Sequence, residues 1–311
     1  MAASGSVRIK GSSDRERKSG GVPQLTDQGE DAGADARLDP HDAASTNRFV
    51  RGWRIAGTLV QIVVVESLVI GIAALPAVAF WNWIGGVLIW EPWILRTMVL
   101  SVSLVPSYLL FACALMALTA FFCRLLRWYT PLGEHSIRAL SPEVLRWVKY
   151  SVAGHVVRTL CGELFRATPV WSWFVRAMGA KVGRGVHINT TAIYDFNLLT
   201  LEDRVVVGGR AQVSCHFVEG GLLKISPVVF REGATIGTGS IVSPGVDVGE
   251  CGQLGALSFA TKHTRVPAHT AFGGVPARFL KRFEPGTRLA EEVLYRVPPD
   301  PDERDREPDR T

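Results

Sequence analysis

The stretch FREGATIGTGSIVSPGVDVGECGQLGALSFATKHTRVPAHTAFGGVPA, residues 230–277, decides the fold. Every sixth position in it reads Phe230, Ile236, Val242, Val248, Leu254, Ala260, Val266 and Phe272, and all eight are apolar. The next position is mostly small or turn-forming: Gly237, Ser243, Gly249, Gly255, Pro267, Gly273. Four positions after each apolar residue lies another compact one, from Ala234 and Ser240 through Gly252 and Ser258 to Pro276. A period of six matches neither a 3.6-residue helix nor plain strand alternation. It is the hexapeptide signature of a parallel β-helix. Three hexads close one triangular coil, one aliphatic side chain per face points to the axis, and the small residues near the corners are expected to let the chain bend.

Working outward, Val182 and Ile188 fit the same register, as do Leu201, Val207 and Val213. Residues 182–277 number 96, about five coils of 18. Between Val213 and Phe230 the count is seventeen rather than eighteen, and the polar, glycine-bearing segment His216–Lys224 reads as a loop ejected from the coil. Insertions in solenoids collect on one face, which often binds. After Arg282 the chain turns to Glu, Arg, Pro and Asp, with one short helix expected over Arg288–Arg296.

Upstream the composition changes twice. Residues 1–48 hold almost no bulky apolar side chain, which predicts a disordered tail. Ile55–Phe80 and Thr97–Cys123 are apolar runs long enough to span a bilayer, flanked by Trp53, Trp81, Trp83, Trp90 and Trp93 as interfacial anchors. Pro106 inside the second is tolerable in a membrane helix. The alternative is a pair of buried core helices. Arg48, Arg51 and Arg54 precede the first run, and Arg124, Arg127, Arg138, Arg146 and Lys149 follow the second, while the turn between holds only Arg96. The positive-inside rule then places both ends, and the β-helix, in the cytoplasm. Glu66, deep in the first run, needs a partner, for which Ser101, Ser103 and Tyr108 are candidates. Pro142–Val175 has helical spacing, and Trp147, Trp171 and Trp173 among its bases suggest an amphipathic segment on the inner leaflet. The expected division is 1–48 tail, 49–130 two-helix membrane region, 131–177 amphipathic linker, 178–283 β-helix and 284–311 charged tail.

The remaining composition excludes more than it proposes. A formal net charge of +5 with scattered bases, and no aromatic-interleaved basic stripe, argues against nucleic acid. Five widely spaced cysteines without a CxxC pair fit neither a disulfide framework nor a zinc site. A carbonic anhydrase of β-helical type would need three zinc-binding histidines, and the ejected segment offers one. His187, His263 and His269 read as corner or surface residues.

Coils of this kind carry few reactive groups, so polar departures are informative. His216 stands at the mouth of the ejected segment, where an imidazole can take the proton of an attacking amine or hydroxyl. Asp195 lies in Tyr194–Asn197, the first break in the register, 21 residues earlier and so near one coil away. Asp195 or Glu219 can orient the ring. Cys215 reads as a packed small residue rather than a nucleophile.

The ending Gly273-Gly274-Val275-Pro276-Ala277-Arg278 resembles the Gly-x-Pro-Ala-Arg/Lys ending of the hexapeptide-repeat acyltransferases. That resemblance implies a left-handed coil and a trimer with sites between subunits; joined to the apolar runs and the amphipathic segment read above, the expected fold is a mainly β, left-handed β-helix behind two transmembrane helices and an amphipathic helical segment. It also implies an acyl-CoA or carrier-protein thioester as donor, with no tightly bound cofactor. Gly273, Gly274, Arg278, Lys281 and Arg282 would then lie along the donor's pantetheine arm and phosphates. The order of two spans, a Trp-rich helix, Met178–Gly183, Asp195, Leu201-Glu202-Asp203 and His216-Phe217-x-Glu219 is similar to the membrane-embedded C-terminal region of Pls/PosA-type nonribosomal peptide synthetases. The activity implied is acyl or aminoacyl transfer to a small-molecule amine or hydroxyl, with a carrier protein as a possible partner. A non-catalytic scaffold at the membrane is the competing reading.

Overall fold

The computed structural model describes residues 48–284. The tails expected over 1–48 and 284–311, with the helix Arg288–Arg296, otherwise lie outside the described residues.

From Lys181 onward the chain winds through two- and three-residue rungs that pair in parallel with rungs one coil away. One face stacks Val182, Leu201, Phe230, Val248 and Val266. A second stacks Ile188, Val207, Ile236, Leu254 and Phe272. The third stacks Ile193, Val213, Val242 and Ala260. Where the repeat is unbroken, partners are 18 residues apart, as Val242 and Ala260 are. Most of these side chains are almost wholly buried and form one axial core. This is a parallel β-helix of hexapeptide repeats.

The bends are not where residue size suggests. A backbone in the left-handed region occurs three positions after the inward residue, at Gly233, Gly239 and Gly245 but also at Arg204, Arg210, Cys251, Leu257, His263 and His269. The glycines directly after the inward residue serve a different end. A Cβ on Gly237 would stand 2.3 Å from the backbone nitrogen of Ala256 in the next coil. Those glycines permit coils to stack, and the corner itself accepts any residue that can bear a positive φ. The compact residues four positions on fill the inside of the corner, where Ser240 and Thr270 donate to carbonyls of their own coil.

Val213 lies on the third face and Phe230 on the first face of the next coil, one hexad apart in the architecture. Across this step partners are 29 residues apart, as Val207 and Ile236 are, so eleven residues (29 − 18) leave the coil. The ejected segment is a β-hairpin rather than a loop. With β1 as Gly133–Ser136, β2 as His216–Glu219 and β3 as Leu222–Ile225, the antiparallel order is β1-β3-β2. The strand that covers the hairpin thus comes from the segment before the coils.

Two long helices, α1 (Arg48–Val87) and α2 (Trp93–Leu125), pack against each other. Both are long and apolar enough to cross a membrane, yet only 22% of the most apolar window of each is buried. Core helices of a soluble domain would be mostly covered. Pro106 sits inside α2 without ending it. The partners expected for Glu66 are engaged elsewhere: Ser101 and Ser103 donate to carbonyls of their own helix, and Tyr108 donates to the Leu160 carbonyl. Oε2 of Glu66 and Oγ1 of Thr119 are buried without a hydrogen bond.

The segment between α2 and the coils is not one amphipathic surface helix. Ser141 caps α3 (Pro142–Val157) and Thr168 caps α4 (Pro169–Ala177), each with a proline at the start. Trp171 and Phe174 of α4 are fully buried and close the open end of the first coil, with the Trp171 indole donating to the Thr190 carbonyl. Trp147 also turns inward. Of the three tryptophans expected on a membrane surface, only Trp173 is exposed. The apolar end of the solenoid takes Trp171, and the cluster of Val144, Leu223 and Ile225 at the hairpin takes Trp147.

Candidate active site

Ile193 pairs with Val213, so Asp195 and Cys215 stand at equivalent positions of successive coils. Asp195 adopts φ +59°, tolerable for a short polar side chain, and starts a one-turn helix Phe196–Leu198. That turn breaks the register and aims the carboxylate along the third face. The side chain is fully buried. Its Oδ1 accepts from Thr130 Oγ1 at 2.9 Å and Trp147 Nε1 at 3.1 Å. Its Oδ2 accepts from the Cys215 amide at 3.3 Å and meets His216 Nδ1 at 2.5 Å. Four donors surround one carboxylate, which therefore accepts from Nδ1. The Nδ1 proton fixes the tautomer and leaves the lone pair on Nε2.

The ring is held from several sides. Trp147 meets it edge-on with centroids 4.9 Å apart, and Tyr194 does so at 6.1 Å. Ser214 Oγ donates to the His216 carbonyl and accepts from its amide. The side chain retains 23% exposure, so a substrate can reach it. Thr130 is fixed in turn: its amide donates to Asn197 Oδ1, and Asn197 Nδ2 donates to its carbonyl. The segment after α2 is thereby clipped to the turn that carries Asp195.

Glu219 does not join this pair. It lies at the far end of β2, where Lys262 binds its Oε2 at 2.6 Å and holds its carboxyl below the usual range. The Lys262 ammonium also lies 4.8 Å from the Phe217 ring centroid. The hairpin therefore crosses from the second coil to the fourth. Cys215 is fully buried; burial, and then the Asp195 charge, push its thiol well above the usual range, which leaves no thiolate to act as nucleophile. Among the described residues no three His, Cys, Asp or Glu side chains form a metal-binding group.

The terminal motif extends the third face. Thr270–Gly273 (β4) and Arg278–Arg282 (β5) form an antiparallel pair around a turn with a cis Val275–Pro276 bond. Phe259 donates to the Gly274 carbonyl and accepts from the Ala277 amide, so the turn forms the next rung. That puts Gly273 and Gly274 about three rungs, roughly 14 Å, along the face from the rung of Val213. Arg278, Lys281 and Arg282 are exposed, with no carboxylate partner among the described residues.

Sequence reading brought Asp195 and His216 together but missed Thr130 and Trp147. Trp147 carried a signal, since an indole that packs inward needs a partner for its N–H. Thr130 carried none.

No family model matches the chain. Delta-poly-L-ornithine synthetase of Acinetobacter baumannii is 29% identical over 112 residues, 36% of this chain and 8% of that protein. Galactoside O-acetyltransferase of Escherichia coli is 26% identical over 137 residues, 40% of this chain and 66% of that enzyme. A 2,3,4,5-tetrahydropyridine-2,6-dicarboxylate N-acetyltransferase of Enterococcus faecalis is 36% identical over 69 residues, 22% of this chain and 29% of that enzyme. Stacked hexapeptide coils and relatives of this kind agree. The chain is similar to the hexapeptide-repeat acyltransferases. It spans less than two thirds of the length of each of these relatives.

Proposed function

We propose that the protein is a membrane-anchored acyltransferase that moves an acyl or aminoacyl group from a thioester to an amine or hydroxyl. The observation that carries this reading is the buried Asp195 carboxylate on Nδ1 of His216, a side chain that itself stays partly exposed. A scaffold has no use for a base so oriented. In the proposed step the acceptor heteroatom bonds to the thioester carbonyl carbon as its proton passes to Nε2. The C–S bond then breaks, and the departing thiolate takes the proton from the imidazolium.

The donor, acyl-CoA or a carrier-bound thioester, is read along the third face, its arm past Gly273 and Gly274 and its phosphates near Arg278, Lys281 and Arg282. The acceptor is a small molecule. The coil is read as left-handed, and the assembly as a homotrimer with sites in clefts between subunits, in keeping with the resemblance. Residues 49–130 are read as the membrane region, 131–177 as a linker and 178–283 as the transferase domain facing the cytoplasm. The exposed apolar surface of α1 and α2 and the bases at both ends of the pair support that topology.

The test is incubation of purified protein with acyl-CoA and carrier-loaded thioesters plus candidate amines and sugars, with release of free thiol measured. Acceptor-dependent release that vanishes in His216→Ala supports transfer. No release with any pair, from a folded protein, leaves the scaffold reading ahead.

A further inference from the structure

A second built feature lies away from the dyad, where the ends of α1 and α2 meet α3. A cavity of about 310 Å³ is lined there by four cations, Arg54, Arg127, Arg146 and Lys149. No acidic residue lines it, and among the described residues none of the four has an ion-pair partner. Their partners are neutral. Arg146 donates to the Tyr129 hydroxyl at 2.7 Å, and Lys149 donates to Gln61 Oε1 at 2.9 Å. Leu126, Trp128 and Leu145 supply apolar walls. Two lining residues, Arg127 and Leu140, hold a left-handed backbone without being glycine. Such conformations persist where the surroundings impose them, and they gather at ligand sites.

Four like charges around one cavity repel one another unless an anion sits among them. We infer that this cavity is a binding site for a phosphate group, carried either by the headgroup of an anionic lipid or by a soluble phosphate. Arginine forks match phosphate oxygens in pairs, and the ammonium of Lys149 adds a point charge. Basic pockets between membrane helices take phosphate headgroups for this reason. The Lys149 ammonium is pushed down from its ordinary value by burial and then by Arg146. The site is distinct from the acyl-transfer site, although α3 carries both: Arg146 and Lys149 line the cavity, and Trp147 touches the dyad.

The test uses the full chain in a neutral detergent, so it does not depend on whether α1 and α2 span a bilayer. Native mass spectrometry would titrate dioctanoyl phosphatidylglycerol, dioctanoylglycerol and inorganic phosphate against wild type and Arg127→Gln/Lys149→Gln. One phosphatidylglycerol per chain is expected, with about fivefold weaker binding for each cation removed and little binding of dioctanoylglycerol. Inorganic phosphate that binds as tightly, and as sensitively to the substitutions, supports the site and assigns a soluble source. Phosphatidylglycerol that binds the double variant as well as wild type, or dioctanoylglycerol that binds equally well, overturns the inference. Should the double variant misfold, Arg54→Gln on the exposed side of α1 gives the same reading with one cation fewer.

Discussion

His216 Nδ1 meets Asp195 Oδ2 at 2.5 Å, across a separation of one coil, with the carboxylate fully buried and the imidazole partly open. In the proposed transfer the carboxylate takes the orienting role and the ring the proton exchange.

His216→Ala removes the proton acceptor while the coil core stays intact. Turnover in the thiol-release assay is expected to fall by about 10²–10⁴-fold. The residual rate should rise with pH as the acceptor amine deprotonates unaided. Near-normal turnover in a folded variant would remove the assignment.

Asp195→Asn should act on both rate and stability. An amide nitrogen now faces at least one of four donors, and leaving such a donor unsatisfied costs about 1–3 kcal/mol. If the amide donates to Nδ1, the ring proton moves to Nε2 and the base is lost. A lowered melting temperature together with reduced turnover is expected; a change in neither would contradict the geometry.

Trp147→Phe keeps the ring beside His216 but deletes the indole donor to Asp195. The loss is expected to be about 1.5–3 kcal/mol in denaturant unfolding, the range for hydrogen bonds to charged groups. Glu219→Gln is the contrasting case. Its pair with Lys262 is half-exposed and screened by solvent, so the variant's melting temperature should barely change. Its turnover should stay within about threefold of wild type, since loss of a general base costs far more.

Gly237→Ala and Gly239→Ala separate stacking from bending. At Gly237 the added Cβ strikes backbone atoms of the next coil, and at Gly239, with φ +68°, it meets the movable Leu257 side chain at 2.8 Å. The second should cost about 1–2 kcal/mol for the left-handed backbone. The first should cost more, because the coils must separate; equal melting temperatures would refute the distinction.

Alkaline pH should weaken the fold through Cys215 and Tyr150. Burial raises both above their ordinary values of 9.0 and 10.0, so the unfolded chain releases these protons first. Their contribution is complete below about pH 9 and is lost as pH rises, by up to about 1.4 kcal/mol per pH unit for each group. Melting temperatures between pH 8 and pH 11 should fall less steeply in Tyr150→Phe than in wild type.

The hexad period made the axial core legible from Val182 to Phe272, because each inward position must be apolar whatever surrounds it. The corners were not legible. Arg204, Leu257 and His269 bend the chain with side chains that give no sign of it. The dyad could be read because its two members break the register one coil apart. Thr130 and Trp147 could not be placed, since their contacts with Asp195 span 65 and 48 residues and follow from how the helices dock on the coils. The charge of Arg54, Arg127, Arg146 and Lys149 was visible as a topology signal, but its convergence on one cavity required three helices in place.

Strand β1 and the segment through Trp147 also bear on modularity. The coils alone contain every hexad, and a designer would cut the chain near Met178 to obtain a soluble domain. That cut would strip the hairpin of its covering strand and take two of the four donors from Asp195. The repeat domain and the polypeptide that leads out of the helix pair are therefore a single heritable part, and a working transplant or split version must carry residues 128–284 together.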